Sequence, residues 1–411
     1  MVFETDMQMR LKLIWTGLAV AMLTALALAP SAGAAQSHKG IVYDLDGTPV
    51  PNPPRLNQLD LYTPDDVGAG ASRPVVVYVH GGGWATGDKS NKLNDKINLF
   101  TGAGYVFVSV NYRLANNPVD LSYPPTRVRF PTIPSDVAEA LGWLDRNVAA
   151  YGGDPRRLLL MGHSAGAQLV SLITTDPSYV SSWGVDPAHL LGTVSLDTDT
   201  YDITERAMTG NDSSKTMIYN AVATPQENAV DGAWARYSAT NYADPGDPDF
   251  LLVTQAGAPR RAANTEQMAT LLGQDPATSV FKAPYDHEGI NAAVGSPTDQ
   301  SGETAAIMAF FASKAGPLQP ATSRVTVLKR PKTVVKLRHG KRARVRFRFQ
   351  AESGATSFAC RIDKKKERRC ASPKSYKVKP GRHTFRVVAV GSAGERGPVR
   401  KIGFRVVDKR R

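Results

Sequence analysis

Five short apolar runs punctuate the first part of the chain: PVVVYVH (74–80), YVFVSVNY (105–112), RLLLMGH (157–163), LLGTVSL (190–196) and DFLLVTQ (249–255). Aliphatic residues occupy successive positions in each, the pattern of a strand covered on both faces. Between them, SDVAEALGWLDRNVAAYG (135–152), AGAQLVSLIT (165–174) and NTEQMATLLGQ (264–274) carry apolar residues at helical spacing. Strands buried on both faces and separated by helices predict a mostly parallel sheet with helices on both sides, whose functional groups collect at the carboxyl ends of the strands. Near residue 323 the texture changes. RVTVLKR (324–330), RARVRFRF (342–349), TSFACRID (356–363), HTFRVVAV (383–390) and IGFRVVD (402–408) are short alternating runs separated by Gly, Pro, Lys or Ser, and predict a β-sandwich. Arg342, Arg344, Arg346 and Arg348 share one strand face, and Ala343, Val345, Phe347 and Phe349 the other. The apolar set should therefore pack inward and leave an exposed arginine ridge.

Charge sharpens this division. The chain of 411 residues carries a net +13, but 29 of its 50 Lys and Arg residues and only 5 of its 37 acidic ones fall in 322–411, giving that tail +24 and the remainder −11. Two bodies of opposite charge imply two domains, joined through the Gly/Pro-containing stretch SKAGPLQPATS (313–323). At the N-terminus the apolar run LIWTGLAVAMLTALALA (13–29) follows Arg10 and Lys12, with small residues at Ala32 and Ala34. It is short for a membrane span and reads as a secretory signal cut near Ala34 or Ala35. The expected organisation is thus a signal peptide (1–35), an α/β domain (36–315), a linker (316–323) and a basic β-sandwich (324–411), secreted or held in the cell envelope. In such a compartment Cys360 and Cys370, at the two ends of the charged turn CRIDKKKERRC, are expected to form a disulfide. The basic face reads either as a contact for an anionic surface (a cell-wall polymer, lipid headgroups or an acidic polysaccharide) or as a solvated face that keeps the domain soluble. Nucleic acid is not expected, since no base-reading motif accompanies the charge.

Two motifs carry chemistry. In RLLLMGHSAGAQLVSLI, Ser164 stands between Gly162 and Gly166 where an apolar strand runs directly into a helix, the setting of an exposed nucleophile on a sharp turn. In YVHGGGWATGDKS (78–90), three successive glycines after a strand leave backbone N–H groups unobstructed, as stabilisation of an acyl-transfer oxyanion requires. The histidines and acids lack metal-ligand spacing and no phosphate-cradling loop is present, so no cofactor or metal is expected.

With its segments VHGGGW, VNYRLA and YPPTRVRFPTIPSDVAEALGWLDRNVAAYGGDPRRLLLMGHSAGAQL in this order, the chain resembles the α/β-hydrolase superfamily over roughly residues 40–315, in the carboxylesterase branch of hormone-sensitive-lipase, feruloyl/acetyl esterase and arylformamidase-like members. The tail is similar to immunoglobulin-like or fibronectin-like domains of bacterial secreted proteins. The resemblance implies a serine hydrolase of carboxylic esters acting through Ser164, an acid and a late histidine, with oxyanion donors at Gly82, Gly83 and Ala165. His287, after the last strand pattern and before the last helical one, matches the family's histidine loop. The acid departs from the family pattern: in most relatives it follows the strand equivalent to DFLLVTQ, where this chain has Ala258. Asp197, the first residue beyond LLGTVSL, is the first choice and Asp199 the second, with Asp202 below them; Glu266 could also reach back from its helix. The alternatives are a lapsed hydrolase that binds a surface rather than cutting, or an amide or formamide hydrolase. With little sequence before the first strand and only 200–248 available for a cap, the expected substrates are small or polymer-linked esters.

Overall fold

The computed structural model describes residues 35–45, 47, 56–64, 71–115, 122–316, 325–337, 342–351, 357–390, 397 and 399–408. The segment read as a signal peptide lies outside these, apart from its last residue. No described helix is long and apolar enough to cross a membrane.

Eight strands form one sheet: β1 (Gln36–Val42), β2 (Gln58–Thr63), β3 (Arg73–Val79), β4 (Val106–Val110), β5 (Gly153–His163), β6 (Leu190–Leu196), β7 (Phe250–Gln255) and β8 (Val280–Ala283). Their spatial order is β1-β2-β4-β3-β5-β6-β7-β8. The pairs β1/β2 and β2/β4 are antiparallel and the remaining neighbours parallel. The five apolar runs are β3 to β7. Successive residues of β3 feed opposite faces: Val75, Val77 and Val79 join one buried cluster, Val76 and Tyr78 the other. The first cluster packs beneath α2 (Thr132–Asn147) and α3 (Ala165–Thr175), the second beneath α1 (Asn94–Gly102) and α10 (Glu303–Ala315). Four further short helices, α4 (Ile203–Thr209), α5 (Asp212–Ala221), α6 (Pro225–Asp231) and α7 (Ala233–Arg236), occupy the stretch expected to form a small cap. Two more that bear on the site are α8 (Pro259–Leu271) and α9 (His287–Ala293).

After β3 the chain goes out to β4 and returns on β3's other side as β5. The two loops at the carboxyl ends of β3 and β5 therefore diverge and leave a crevice, the place where doubly wound sheets put their sites. The glycine turn at 81–83 and Ser164 both fall there.

The C-terminal residues form a five-stranded sheet, β10-β16-β15-β12-β13, and a three-stranded one, β14-β11-β9. The strands are β9 (Val325–Lys329), β10 (Val334–Leu337), β11 (Ala343–Ala351), β12 (Ser357–Ile362), β13 (Arg368–Cys370), β14 (Lys374–Val378), β15 (Gly381–Val390) and β16 (Arg400–Asp408). Val345, Phe347 and Phe349 of β11 pack with Phe385 and Phe404 in a core of their own, while the intervening arginines are exposed. The Phe347 and Phe385 rings stack 4.0 Å apart. A Cys360–Cys370 disulfide joins β12 to β13.

Candidate active site

Ser164 lies between β5 and α3 with φ 55° and ψ −119°, a region that costs an L-residue about 1–3 kcal/mol. Surrounding bonds hold it there: its N–H donates to the Leu196 carbonyl (2.9 Å) and its carbonyl accepts the Gln168 N–H (3.1 Å). Glycine is required on either side. A Cβ on Gly162 would stand 2.2 Å from the Gly166 carbonyl oxygen, and one on Gly166 2.2 Å from that of Val79.

Beyond β3 the glycine turn lies against this elbow, since a Cβ on Gly81 would approach the Ser164 Cβ to 3.0 Å. Gly82 and Gly83 adopt φ of 118° and 59°, and the Gly82 carbonyl closes the turn by accepting the N–H groups of Ala85 and Thr86. Ala165 is the first residue of α3, so its N–H has no carbonyl within the helix to donate to.

His287 opens α9 behind the N-cap Asp286. Its Nε2 is 2.9 Å from Ser164 Oγ and its Nδ1 2.5 Å from Asp197 Oδ2. A carboxylate only accepts, so Nδ1 carries the proton and Nε2 presents a lone pair to the serine. Asp197 is the residue directly after β6, at φ 50°, with a fully buried side chain. Besides His287, its carboxylate accepts from Gln255 Nε2 (2.6 Å) and the Gln255 N–H (3.3 Å), and Arg261 Nη1 stands 3.4 Å away. Burial alone would raise its pKa, but the His287 hydrogen bond, the Arg261 charge and Gln255 outweigh burial and hold it below the ordinary carboxylate range.

The other candidate acids are elsewhere. Asp199, the second choice, pairs with Arg206 (3.2 Å) and Arg261 (3.7 Å) rather than with the histidine. Asp202 caps α4 by accepting the Glu205 N–H, and Glu266 pairs with Lys282 at 2.7 Å. Ala258 is the N-cap of α8 and contributes no polar side chain. Gln255 and Arg261, which hold Asp197, were not singled out in the sequence; no spacing rule links the far end of β7 and the first turn of α8 to an acid ninety positions before the histidine.

His163, beside the serine, donates from Nε2 to the His287 carbonyl (2.9 Å). Burial first, then the nearby His287 charge, push its pKa down to about 4. It is therefore a neutral strut for the histidine loop. His163, His287 and Glu288 place ligand-type atoms within 4.8 Å of one another. Their groups are already committed, however: His163 to that carbonyl, His287 to Asp197 and Ser164, and Glu288 to Lys92 at 2.6 Å.

A pocket of about 160 Å3 opens in front of Ser164, lined among others by Trp84, Thr198, Thr200, Ser214, Met217 and Arg206. Its cap is tied to the body by Arg127, whose buried guanidinium donates to Glu227 of α6 (2.5 Å) and to the carbonyls of Tyr219 and Asn220 at the end of α5.

A mostly parallel sheet with helices on both faces, a strained serine elbow and an aspartate-histidine pair at the adjoining strand ends define an α/β-hydrolase fold. Residues 59–258 match the BD-FAE family model. Over 124 residues the chain is 32% identical to a probable carboxylic ester hydrolase, LipM, of Mycobacterium tuberculosis, covering 30% of this chain and 26% of that one. Over 120 residues it is 39% identical to phenmedipham hydrolase of Pseudarthrobacter oxydans, covering 29% and 23%. The chain thus spans about a quarter of the length of these curated relatives. Among solved structures, a truncated carbohydrate esterase from gut microbiota superposes with a TM-score of 0.53 at 16% identity, over 69% of this chain and 98% of that one.

Proposed function

We propose that the protein is a serine hydrolase of carboxylic esters. The observation that carries this reading is the unbroken line of hydrogen bonds from Ser164 Oγ through His287 to the buried Asp197. In the proposed reaction Ser164 Oγ attacks the ester carbonyl as His287 Nε2 takes its proton, and the Asp197 carboxylate stabilises the imidazolium that forms. The N–H groups of Gly82, Gly83 and Ala165 serve as donors to the oxyanion. His287 then protonates the departing alcohol, and water cleaves the acyl-enzyme by the same steps in reverse order.

The small, partly hydroxyl-lined pocket supports short acyl groups on small or polymer-linked esters. Export belongs to the same proposal, supported by the apolar N-terminal run followed by small residues and by the Cys360–Cys370 disulfide. So does retention on an anionic cell-wall or polysaccharide surface, through the basic C-terminal module.

The test is fluorophosphonate labelling of the purified protein, with mass spectrometry to locate the adduct and Ser164→Ala as control. Stoichiometric modification of Ser164 is expected. A folded sample that stays unlabelled would favour the lapsed, surface-binding reading.

A further inference from the structure

A groove of about 780 Å3 lies in the C-terminal sheets. Lys329, Arg330, Lys332 and Lys336, from β9, β10 and the turn between them, line it together with Arg344, Arg346 and Arg348 of β11. All seven side chains are exposed. No Asp or Glu lines the groove, and among the described residues no acid is recorded in an ion pair with any of the seven. In the α/β domain several surface cations are matched, as in Lys92–Glu288, Lys282–Glu266 and Arg260–Glu205. Seven like charges gathered without counterions repel one another, a cost that a bound polyanion reverses.

The arrangement also says which polyanion. Along β11 the three arginines alternate with core residues, so their Cα atoms are spaced about 6.5–7 Å apart by the strand rise. Arg344 stands opposite Lys377 of β14, which widens the same row by one strand. A regular row of forked guanidinium groups suits a linear chain of regularly repeated anions, and the planar fork matches carboxylates two bonds at a time. No Phe, Tyr or Trp lines the groove. It therefore lacks the aromatic platforms on which single-stranded nucleic acid stacks. Its concavity suits a polymer strand better than a flat bilayer.

We infer that this groove binds a linear polysaccharide bearing carboxylates on successive sugar residues, a polyuronate. The inference rests on the anchoring part of the proposed function and is independent of ester hydrolysis. The probe is polygalacturonate, with binding of the full chain measured by affinity electrophoresis and co-sedimentation. Replacing the ridge (Arg344→Ser, Arg346→Ser, Arg348→Ser) is expected to weaken binding at least about tenfold, the scale of losing several charge-assisted contacts. Removing the same charge from the exposed turn after β12 (Lys364→Ser, Lys365→Ser, Lys366→Ser) should change it less than about threefold. A second groove variant, Lys329→Ser with Lys336→Ser, should follow the first, with circular dichroism melts showing that each variant is folded. Raising NaCl from about 0.05 to about 0.5 M should release the protein, because screening shortens the reach of exposed charges. Equal weakening by the ridge and turn variants, or tighter binding of single-stranded DNA or phosphatidylglycerol vesicles than of polygalacturonate, would overturn the assignment. Fluorophosphonate labelling of the same samples separates the two readings: labelled protein that ignores polyuronate removes the groove alone, and bound protein that resists labelling removes the hydrolase alone.

Discussion

Replacing Asp197 by Asn tests the acid directly, because the exchange keeps shape and volume while removing charge and changing what one atom can do. Every neighbour of that carboxylate is a donor: His287 Nδ1, the Gln255 amide and backbone N–H, and the Arg261 guanidinium. An asparagine amide brings two N–H groups into this all-donor pocket, where two partners can change role to accept one: Gln255 by turning over its side-chain amide, and His287 by shedding its Nδ1 proton and carrying it on Nε2 instead. The lone pair facing Ser164 is then gone, and with it the base. Loss of the tautomer in such an arrangement lowers kcat by about four orders of magnitude, and at about 1.36 kcal/mol per decade this amounts to about 5 kcal/mol of transition-state stabilisation. Asp199→Asn touches only Arg206 and Arg261 and should cost less than about thirtyfold, since an isosteric amide still bonds one guanidinium. The assay is kcat/KM on p-nitrophenyl acetate for wild type and both variants. An Asp197→Asn enzyme within about tenfold of wild type, or an Asp199→Asn enzyme equally damaged, would refute the assignment of the acid.

Gly166→Ala should destabilise the fold by about 2–3 kcal/mol in urea unfolding, because the new methyl meets the fixed backbone carbonyls of Val79 (2.2 Å) and His80 (2.5 Å); a variant as stable as wild type would show that the elbow relaxes freely. Glu227 has its pKa lowered to about 2, chiefly by the Arg127 hydrogen bond. The unfolded chain therefore takes up this proton first as pH falls, so the stabilisation is complete above about pH 4.5 and disappears toward pH 2. After allowance for solvent screening it is worth about 2 kcal/mol. Thermal melts across that window should converge for wild type and Glu227→Gln at the acid end; parallel curves would count against the tether.

Where burial was two-sided and the residues continuously apolar, the sequence was easy to read: β3 to β7 are the five apolar runs, and β6 keeps its bounds at 190–196, whereas β2, buried along most of its length, intersperses Gln, Asp and Thr in QLDLYT and leaves no such run. Elements resting on tertiary context were hidden. β1 is mostly exposed and persists as the antiparallel partner of β2, while β8 has only four residues. Helix α8 begins at Pro259, five residues before the periodic stretch, because proline at N1 starts a helix with no apolar signal. The edge strands β10, β13 and β14 were missed in the tail for the same reason as β1: short strands with little buried surface leave little pattern. At the site, Ser164 and the glycine turn are legible because their backbone geometry demands glycine locally. The choice between Asp197 and Asp199 was not, since both are polar residues just past one strand and only the paths of β7 and α8 distinguish them.

Carrying the acid on β6 changes what the rest of the sheet is free to do. Ser164 is hydrogen-bonded to Leu196, the residue before Asp197, and the Asp197 N–H donates to the Val253 carbonyl (2.8 Å) of β7. The proposed nucleophile and acid are thus neighbours on one rigid seam, whereas the segment 256–258 between β7 and α8 has no side chain in the relay. On that reading the segment need not supply a carboxylate, while Gln255 and Arg261 on either side of it grip Asp197. Among homologues that keep an aspartate at the end of β6, it should drift in composition while its two flanking anchors stay fixed.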